Sequence, residues 1–216
     1  MNTDKERALS LTPVSRETQE RLEKFVALLL SWQEKFNLVA KSTLPLVWTR
    51  HVSDSLQLLD HAPDANVWVD YGSGAGFPGI PIACALADKP GAQVHLVESV
   101  GKKVNFLREV VTQTGVPATV QQVRAENFGD SYGDKVDVVT ARALSPLKTL
   151  CDQTFPLIKR GAIGLFSKGQ DVEAELTEAA KYWTIEAQKL PSKTSPQGCI
   201  LKVTGLTPRK LGSTGR

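Results

Sequence analysis

The sequence predicts an α/β fold: a mostly parallel, doubly wound sheet that ends in an antiparallel hairpin and follows a small helical N-terminal cap. Three observations carry this. After Asn66, five short β-rich runs (NVWVDYG, AQVHLVES, ATVQQVRA, KVDVVTAR and AIGLFSKG) alternate with helix-length segments, the pattern of parallel βαβ units with right-handed crossovers. Two further runs, YWTIEAQKL and GCILKVTGL, are separated by only seven residues. That is too short for a crossover helix, so they should pair antiparallel. The first sixty residues carry helical rather than strand periodicity, and 216 residues suit one α/β core with a small appendage.

The elements follow in order. In ETQERLEKFVALLLSWQEKFNLV the apolar residues Leu22, Phe25, Val26, Leu29, Leu30 and Phe36 recur at helical spacing, which predicts an amphipathic helix that needs a cover. A second helix over about residues 46–59 supplies part of it. Residues 1–64 are read as the cap, 65–206 as the main domain and 207–216 as a basic tail. The first strand ends at Asp70, and the glycine-rich stretch DYGSGAGFPGIP leads into a helix that begins near Pro78.

Composition narrows the classes. With 41% hydrophobic and 23% charged residues the chain reads as an ordinary globular protein. No apolar run approaches the roughly 20 residues that span a bilayer, and the N-terminus lacks the apolar core of a signal peptide. A cytoplasmic location and no membrane partner are expected. Cys84, Cys151 and Cys199 form no CxxC pattern, so neither a disulfide framework nor a metal site is expected. The net charge of +3 is small, but from Lys181 to Arg216 seven basic residues face the single acid Glu186. That end either faces phosphates or is a solvated surface.

The glycine loop fits two patterns. Gly74, Gly76 and Gly79 satisfy GxGxxG, the dinucleotide fingerprint, while Asp70, Gly72, Gly74 and Gly76 give DxGxGxG, typical of S-adenosylmethionine-dependent methyltransferases. Glu98, ending the second strand, suits the ribose hydroxyls of either cofactor. Three features favour the methyl donor. Pro78 removes an amide donor that a pyrophosphate would want. Ala125 and Glu126, after the third strand, stand where such enzymes grip adenine. The terminal hairpin matches the antiparallel seventh strand of the methyltransferase variant of the fold.

The acceptor should face the end of the fourth strand, which reads TARALSP. It contains neither an Asn/Asp-Pro-Pro-aromatic stretch, as in exocyclic-amine methyltransferases, nor a Pro-Cys nucleophile. Cys151, inside the following helix, reads as a small buried hydrophobe. An acceptor that is already nucleophilic, such as guanine N7, needs only proximity and orientation, so no catalytic side chain is assigned.

Several motifs together resemble the bacterial small-subunit rRNA guanine-N7 methyltransferases, also called glucose-inhibited division protein B. They are Wx4NLVA (Trp32 to Ala40), RHVSDSL (Arg50 to Leu56), DYGSGAGFPGIP (Asp70 to Pro81), ESVGKKVNFL (Glu98 to Leu107), RAENF (Arg124 to Phe128) and ARAL (Ala141 to Leu144), with PRKLG (Pro208 to Gly212) near the end. The resemblance implies a Rossmann-like class I S-adenosylmethionine-dependent methyltransferase fold. It also implies methyl transfer from S-adenosylmethionine to N7 of one guanine, 527 in the customary numbering of 16S rRNA. The substrate is then 16S rRNA, naked, within the 30S subunit or in an assembly intermediate; a monomer is expected, though not from the resemblance. The implied cofactor-binding set is Asp70, Gly72, Gly74, Gly76, Phe77, Glu98, Ser99, Val100, Ala125, Glu126 and Arg142. Tyr71 replaces the family's usual aliphatic residue, on a side chain that alternation points away from the ligand.

The RNA-binding candidates are Arg142, Lys102, Lys103, Lys168, Arg209 and Lys210. Arg142 would neutralise a phosphate, hold the target base or line the cofactor pocket, or else pair with an acid such as Glu126. His51 and Asp54, three apart, share a helical face; they either close over cofactor or RNA or tie the cap to the domain. His51 is not read as a general base, and His61 and His95 are read as incidental. The competing functions are a nicotinamide-dependent oxidoreductase using GxGxxG and a non-catalytic RNA-binding regulator.

Overall fold

The computed structural model describes residues 3–209. Its seven-stranded sheet has the order β3-β2-β1-β4-β5-β7-β6. Strands β1 (Val67–Tyr71), β2 (Gln93–Val97), β3 (Ala118–Gln121), β4 (Val138–Arg142) and β5 (Ile163–Lys168) run parallel, and β6 (Trp183–Pro191) and β7 (Cys199–Pro208) add the expected antiparallel hairpin. The central strands are apolar on both faces because helices cover both. Trp68, Val94, Leu96, Val138 and Leu165 pack one side, while Val69, Tyr71, Val97, Val139 and Phe166 pack the other. The chain winds one way from β1 to β3 and the other way from β4 onward. The crevice at that reversal lies at the C-terminal ends of β1 and β4, where open α/β sheets bind ligands.

Helix α1 (Asp4–Leu11) opens with a capping box on Thr3 and Glu6, and α2 (Arg16–Gln33) is capped by Ser15, whose hydroxyl accepts from the Thr18 amide at 3.1 Å. As expected, α2 buries Leu22, Phe25, Val26 and Leu29, with the Phe25 ring 5.0 Å from Phe77 in the glycine loop. Two of the predicted stripe residues do not belong to it. Leu30 is 43% exposed, and Phe36 lies beyond the helix end. The helix stops because the Gln33 side chain turns back on the following segment, accepting from the Leu38 and Val39 amides (2.8 and 3.0 Å) and donating to the Val39 carbonyl.

The second cap helix is a run of four short pieces rather than one regular helix. A 3₁₀ turn (Lys41–Leu46) contains Pro45, a π turn (Trp48–Ser53) follows, and α3 (Asp54–Leu56) leads into a 3₁₀ turn (Gln57–His61). Pro45 donates no amide, and the Asp4 carboxylate takes the Trp48 and Thr49 amides at 2.8 and 3.3 Å. The π turn carries Arg50 and His51 toward the sheet. The remaining helices are α4 (Gly79–Leu86), α5 (Gly101–Thr114), α6 (Ala125–Ser131), α7 (Leu147–Ile158) and α8 (Val172–Ala179).

Candidate functional site

A cleft of about 1120 Å³ opens where the glycine loop, the end of β4, the cap and the β6–β7 loop meet. Its floor is the turn after β1. Gly72 and Gly74 adopt φ of +65° and +56°, a region that L-residues avoid. The Gly72 backbone is also approached so closely that a Cβ there would lie 2.4 Å from Leu144 Cδ1, whereas one on Gly74 would meet nothing nearer than 3.6 Å. Gly74 therefore leaves open space beside bare backbone.

Two carboxylates hold this loop. Asp70 points away from the cleft. It accepts from the Gly79 amide at 3.0 Å and from the Thr140 hydroxyl at 3.0 Å, fixing the start of α4 against β1 and β4. Burial raises its pKa from 3.8 to about 6 against the pull of those donors. Asp70 thus holds the loop from beneath and does not itself line the cleft. Gly76 is likewise a packing position, since a Cβ on it would lie 2.7 Å from Ile80. Glu98 faces the loop from β2: one oxygen accepts from the Gly74 amide at 2.9 Å and the other from the Val100 amide at 2.8 Å. An ionised carboxylate has about four acceptor positions, so two remain for ribose hydroxyls.

Phe77 is the platform on which the cap meets the sheet. The His51 ring stacks on it at 4.9 Å and 26°, and the Arg142 guanidinium lies 5.2 Å from its centroid. Arg142 donates to His51 Nδ1 at 2.8 Å and to the Arg50 carbonyl at 3.2 Å, and its Nη1 is 3.7 Å from Asp54 Oδ2. The acid that pairs with Arg142 is therefore Asp54, and Glu126 instead lies 3.8 Å from Arg124. A guanidinium has no acceptor. His51 Nδ1 must then be the unprotonated nitrogen, and Nε2–H donates to Thr43 Oγ1 at 2.8 Å. Burial, reinforced by the Arg142 and Arg50 charges, lowers the His51 pKa from 6.5 to about 3. Its lone pair is spent on Arg142, so it is no free base.

Asp54 Oδ1 reaches across to the β6–β7 loop, accepting from Thr194 Oγ1 at 2.6 Å and from Gln57 Nε2 at 2.8 Å, while Gln57 Oε1 accepts from the Lys193 amide at 2.8 Å. The reading in which the His51–Asp54 pair ties the cap to the domain is the one the contacts show, and the same groups line the cleft. Thr43, Gln57 and Thr194 carry no sequence signal. Thr194 lies 140 residues from its partner, and nothing in its neighbours sets it apart from a loop threonine.

The predicted residues divide. Gly72, Gly74, Phe77 and Arg142 line the cleft. Glu98, Ser99, Val100, Ala125 and Glu126 lie beyond it, at the C-terminal edges of β2 and β3, where Val100 is 49% exposed. Lys103 lines the cleft and Lys102 stands exposed beside it. Lys168 also lines the cleft, but its side chain is only 9% exposed. Its ammonium is buried against Glu175 at 2.7 Å and the Ser145 carbonyl at 3.4 Å.

Arg209 is at the wrong end. Cys199 pairs with Lys168 at the C-terminal edge of β5 and Val203 with Gly164 near its start. Arg209, beyond Pro208, therefore belongs to the opposite edge of the sheet. Lys210 lies outside the described residues. Three cations of the basic C-terminal stretch pair with acids that precede it in the chain: Lys181 with Glu178, three residues away, Lys189 with Glu173 and Lys193 with Asp60.

Other reactive groups are inert. Burial pushes the Cys84 and Cys151 thiols up to about 12. His95 is an internal strut between Thr119 and Tyr132 at 2.9 and 2.8 Å. No cluster of three or more His, Cys, Asp or Glu that could hold a metal occurs among the described residues, nor does a helix long and apolar enough to cross a membrane.

Comparison with known proteins agrees with this geometry. Among solved structures, a SAM-dependent methyltransferase from Aquifex aeolicus superposes with TM-score 0.54 at 15% identity, covering 77% of this chain and 93% of that one. A precorrin-6y C5,15-methyltransferase from Geobacter metallireducens gives 0.52 at 14%, covering 77% and 90%. These establish the Rossmann-like class I fold. In sequence, the chain is 60% identical over 200 residues to a ribosomal RNA small subunit methyltransferase G of Bradyrhizobium sp. (strain BTAi1 / ATCC BAA-1182), covering 93% of this chain and 90% of the relative. It is 52% identical to one from Rhodopseudomonas palustris (strain BisB18), covering 95% and 88%. The family model described as rRNA small subunit methyltransferase G matches residues 18–199, and the chain belongs to that family.

Proposed function

We propose that the protein transfers a methyl group from S-adenosylmethionine to N7 of guanine 527 of 16S rRNA, acting as a monomer in the cytoplasm on the 30S subunit or an assembly intermediate. The observation that carries the reading is the family match over residues 18–199, and the chemistry of the cleft supports it. The described residues fit the cofactor. Gly74 leaves open space beside bare backbone, Glu98 keeps acceptor capacity for two hydroxyls, and exposed Val100 offers an apolar face for adenine. Bound S-adenosylmethionine supplies an electrophilic sulfonium methyl.

Beside the loop, the protein contributes position rather than proton transfer. His51, Asp54 and Arg142 are committed to one another and to Phe77, so none is poised to remove a proton. Guanine N7 offers a lone pair and carries no proton, and it needs only orientation and a water-poor setting. Arg142, partly exposed on the cleft wall, keeps a positive charge at the end of β4, where it favours an approaching phosphate or an electron-rich base edge. The oxidoreductase and non-catalytic readings lose their support, since the relatives are named methyltransferases over nearly their whole length.

The test is transfer from labelled S-adenosylmethionine to 30S subunits and to naked 16S rRNA that lack the mark, followed by chemical cleavage at N7-methylguanine. One cleavage at guanine 527 is expected. Label at another atom or site would refute the assignment.

A further inference from the structure

A second cavity of about 310 Å³ adjoins the main cleft. Trp32, Phe36 and Leu38 form one wall, and Val100, Lys102 and Lys103 at the start of α5 form the other. Leu38 and Lys103 line both cavities. The floor is aromatic. The Trp32 and Phe36 rings are 5.6 Å apart, and Trp32 is fixed from behind by Phe106 at 5.5 Å and by its indole N–H donating to Glu109 at 3.1 Å. The Lys102 ammonium lies 4.9 Å from the Phe36 centroid, and Lys35 completes the rim. Among the described residues Lys35, Lys102 and Lys103 form no ion pair, whereas Lys168, Lys181, Lys189 and Lys193 each hold a carboxylate. An aromatic floor ringed by unneutralised ammonium groups suits a nucleobase and its phosphates.

We propose that this pocket receives an unpaired ribonucleotide flanking the methyl acceptor, its base against Phe36 and Trp32 and its phosphates toward Lys35, Lys102 and Lys103. The proposal rests on the rRNA reading of the main cleft. The shared wall of Leu38 and Lys103 lets one strand pass from the acceptor position into the second pocket. Because every base has a π face, the pocket grips the strand without selecting its sequence.

Trp32 is the reporter, because Trp48, Trp68 and Trp183 are buried. The full chain is titrated with a single-stranded oligoribonucleotide of about eight nucleotides, within the range of one single-strand site, and with a duplex of the same sequence. The single strand should quench Trp32 saturably and the duplex should not. Phe36→Leu and, independently, the surface change Lys102→Ala should weaken binding about tenfold and raise KM for 16S rRNA, leaving kcat and S-adenosylmethionine affinity unchanged. Replacing all three lysines by glutamine should flatten the salt dependence by about 0.7 log units per lost phosphate contact.

Unchanged RNA affinity in both single variants would overturn the proposal. So would a loss of cofactor affinity at constant RNA affinity, which would make the pocket a wall of the cofactor site. A wild-type protein that methylates rRNA beside variants with unaltered KM rejects the pocket alone. A wild-type protein that methylates no rRNA rejects the proposed function, and the quenching then decides the pocket separately.

Discussion

Arg142 and Lys102 are cations on the same edge of the sheet, and their surroundings could hardly differ more. Arg142 is shared among Asp54, His51, the Arg50 carbonyl and the face of Phe77, with its side chain 20% exposed. Lys102 touches the ring of Phe36 and has no carboxylate partner among the described residues. The first belongs to a junction on the cleft wall in which each group fixes the next, so removing it leaves His51 Nδ1 without its donor and Asp54 without its cation. The second keeps its hydration and can give it up to a passing strand. The difference teaches that position on the sheet edge does not assign a cation's task. Its partners do.

The sharpest way to break this contrast is Arg142→Ala. Losing a hydrogen bond from a charged donor costs about 1.5–3 kcal/mol, so transfer should fall by a factor of ~10 or more and the melting temperature should drop. Arg142→Lys should rescue little, because an ammonium cannot fork between His51 and Asp54. Full activity in the lysine variant would mean that charge alone suffices. Next in size is Glu98→Gln, which weakens the acceptors of the Gly74 and Val100 amides. Cofactor affinity read by calorimetry should fall about tenfold, as for a lost charged hydrogen bond of roughly 1.5 kcal/mol.

The junction should also leave a signature in pH. His51 is held neutral with a pKa of about 3 against 6.5, so between those values the unfolded chain binds more protons and stability falls as pH drops. Asp70, raised to about 6 from 3.8, acts in the opposite sense: its contribution is present at low pH and is lost as pH rises through 6. The two partly cancel. His51→Gln removes one, so denaturant unfolding from pH 7 to pH 4 should show less acid destabilisation relative to the value at pH 7 than in wild type. An unchanged slope would mean that His51 is not buried neutral.

The smallest effect concerns Tyr71, whose buried hydroxyl has no hydrogen-bond partner among the described residues and packs beside Gly129 on the face away from the cleft. Tyr71→Phe should raise stability by up to about 1 kcal/mol and leave transfer unaltered. A loss of activity would place this side chain in the site after all.

Most of the sheet was legible because its signals are local. β-rich runs at helix-length intervals gave five parallel strands, and a seven-residue gap gave the hairpin. The glycine loop was legible for the same reason, since left-handed backbone requires particular residues in a row. The cap was read less well: Pro45, the Asp4 carboxylate and the Gln33 side chain break regular helix through contacts that periodicity does not contain. Charge was read worst. Three lysines of the basic run that begins at Lys181 are paired with acids that precede it, two of them from other elements, and Arg209 is carried to the far edge by the length of β7. DxGxGxG marks the loop without saying which of its members face the cleft, and Asp70 is one that does not line it.

The most direct test of the account is equilibrium binding of S-adenosylmethionine, by calorimetry, to wild type, Arg142→Ala and Lys102→Ala measured side by side. The account predicts a cofactor affinity lowered at least tenfold by the arginine change, through loss of the Phe77–His51 platform, and unchanged by the lysine change. Equal effects of the two substitutions, or an undiminished affinity in Arg142→Ala, would contradict it.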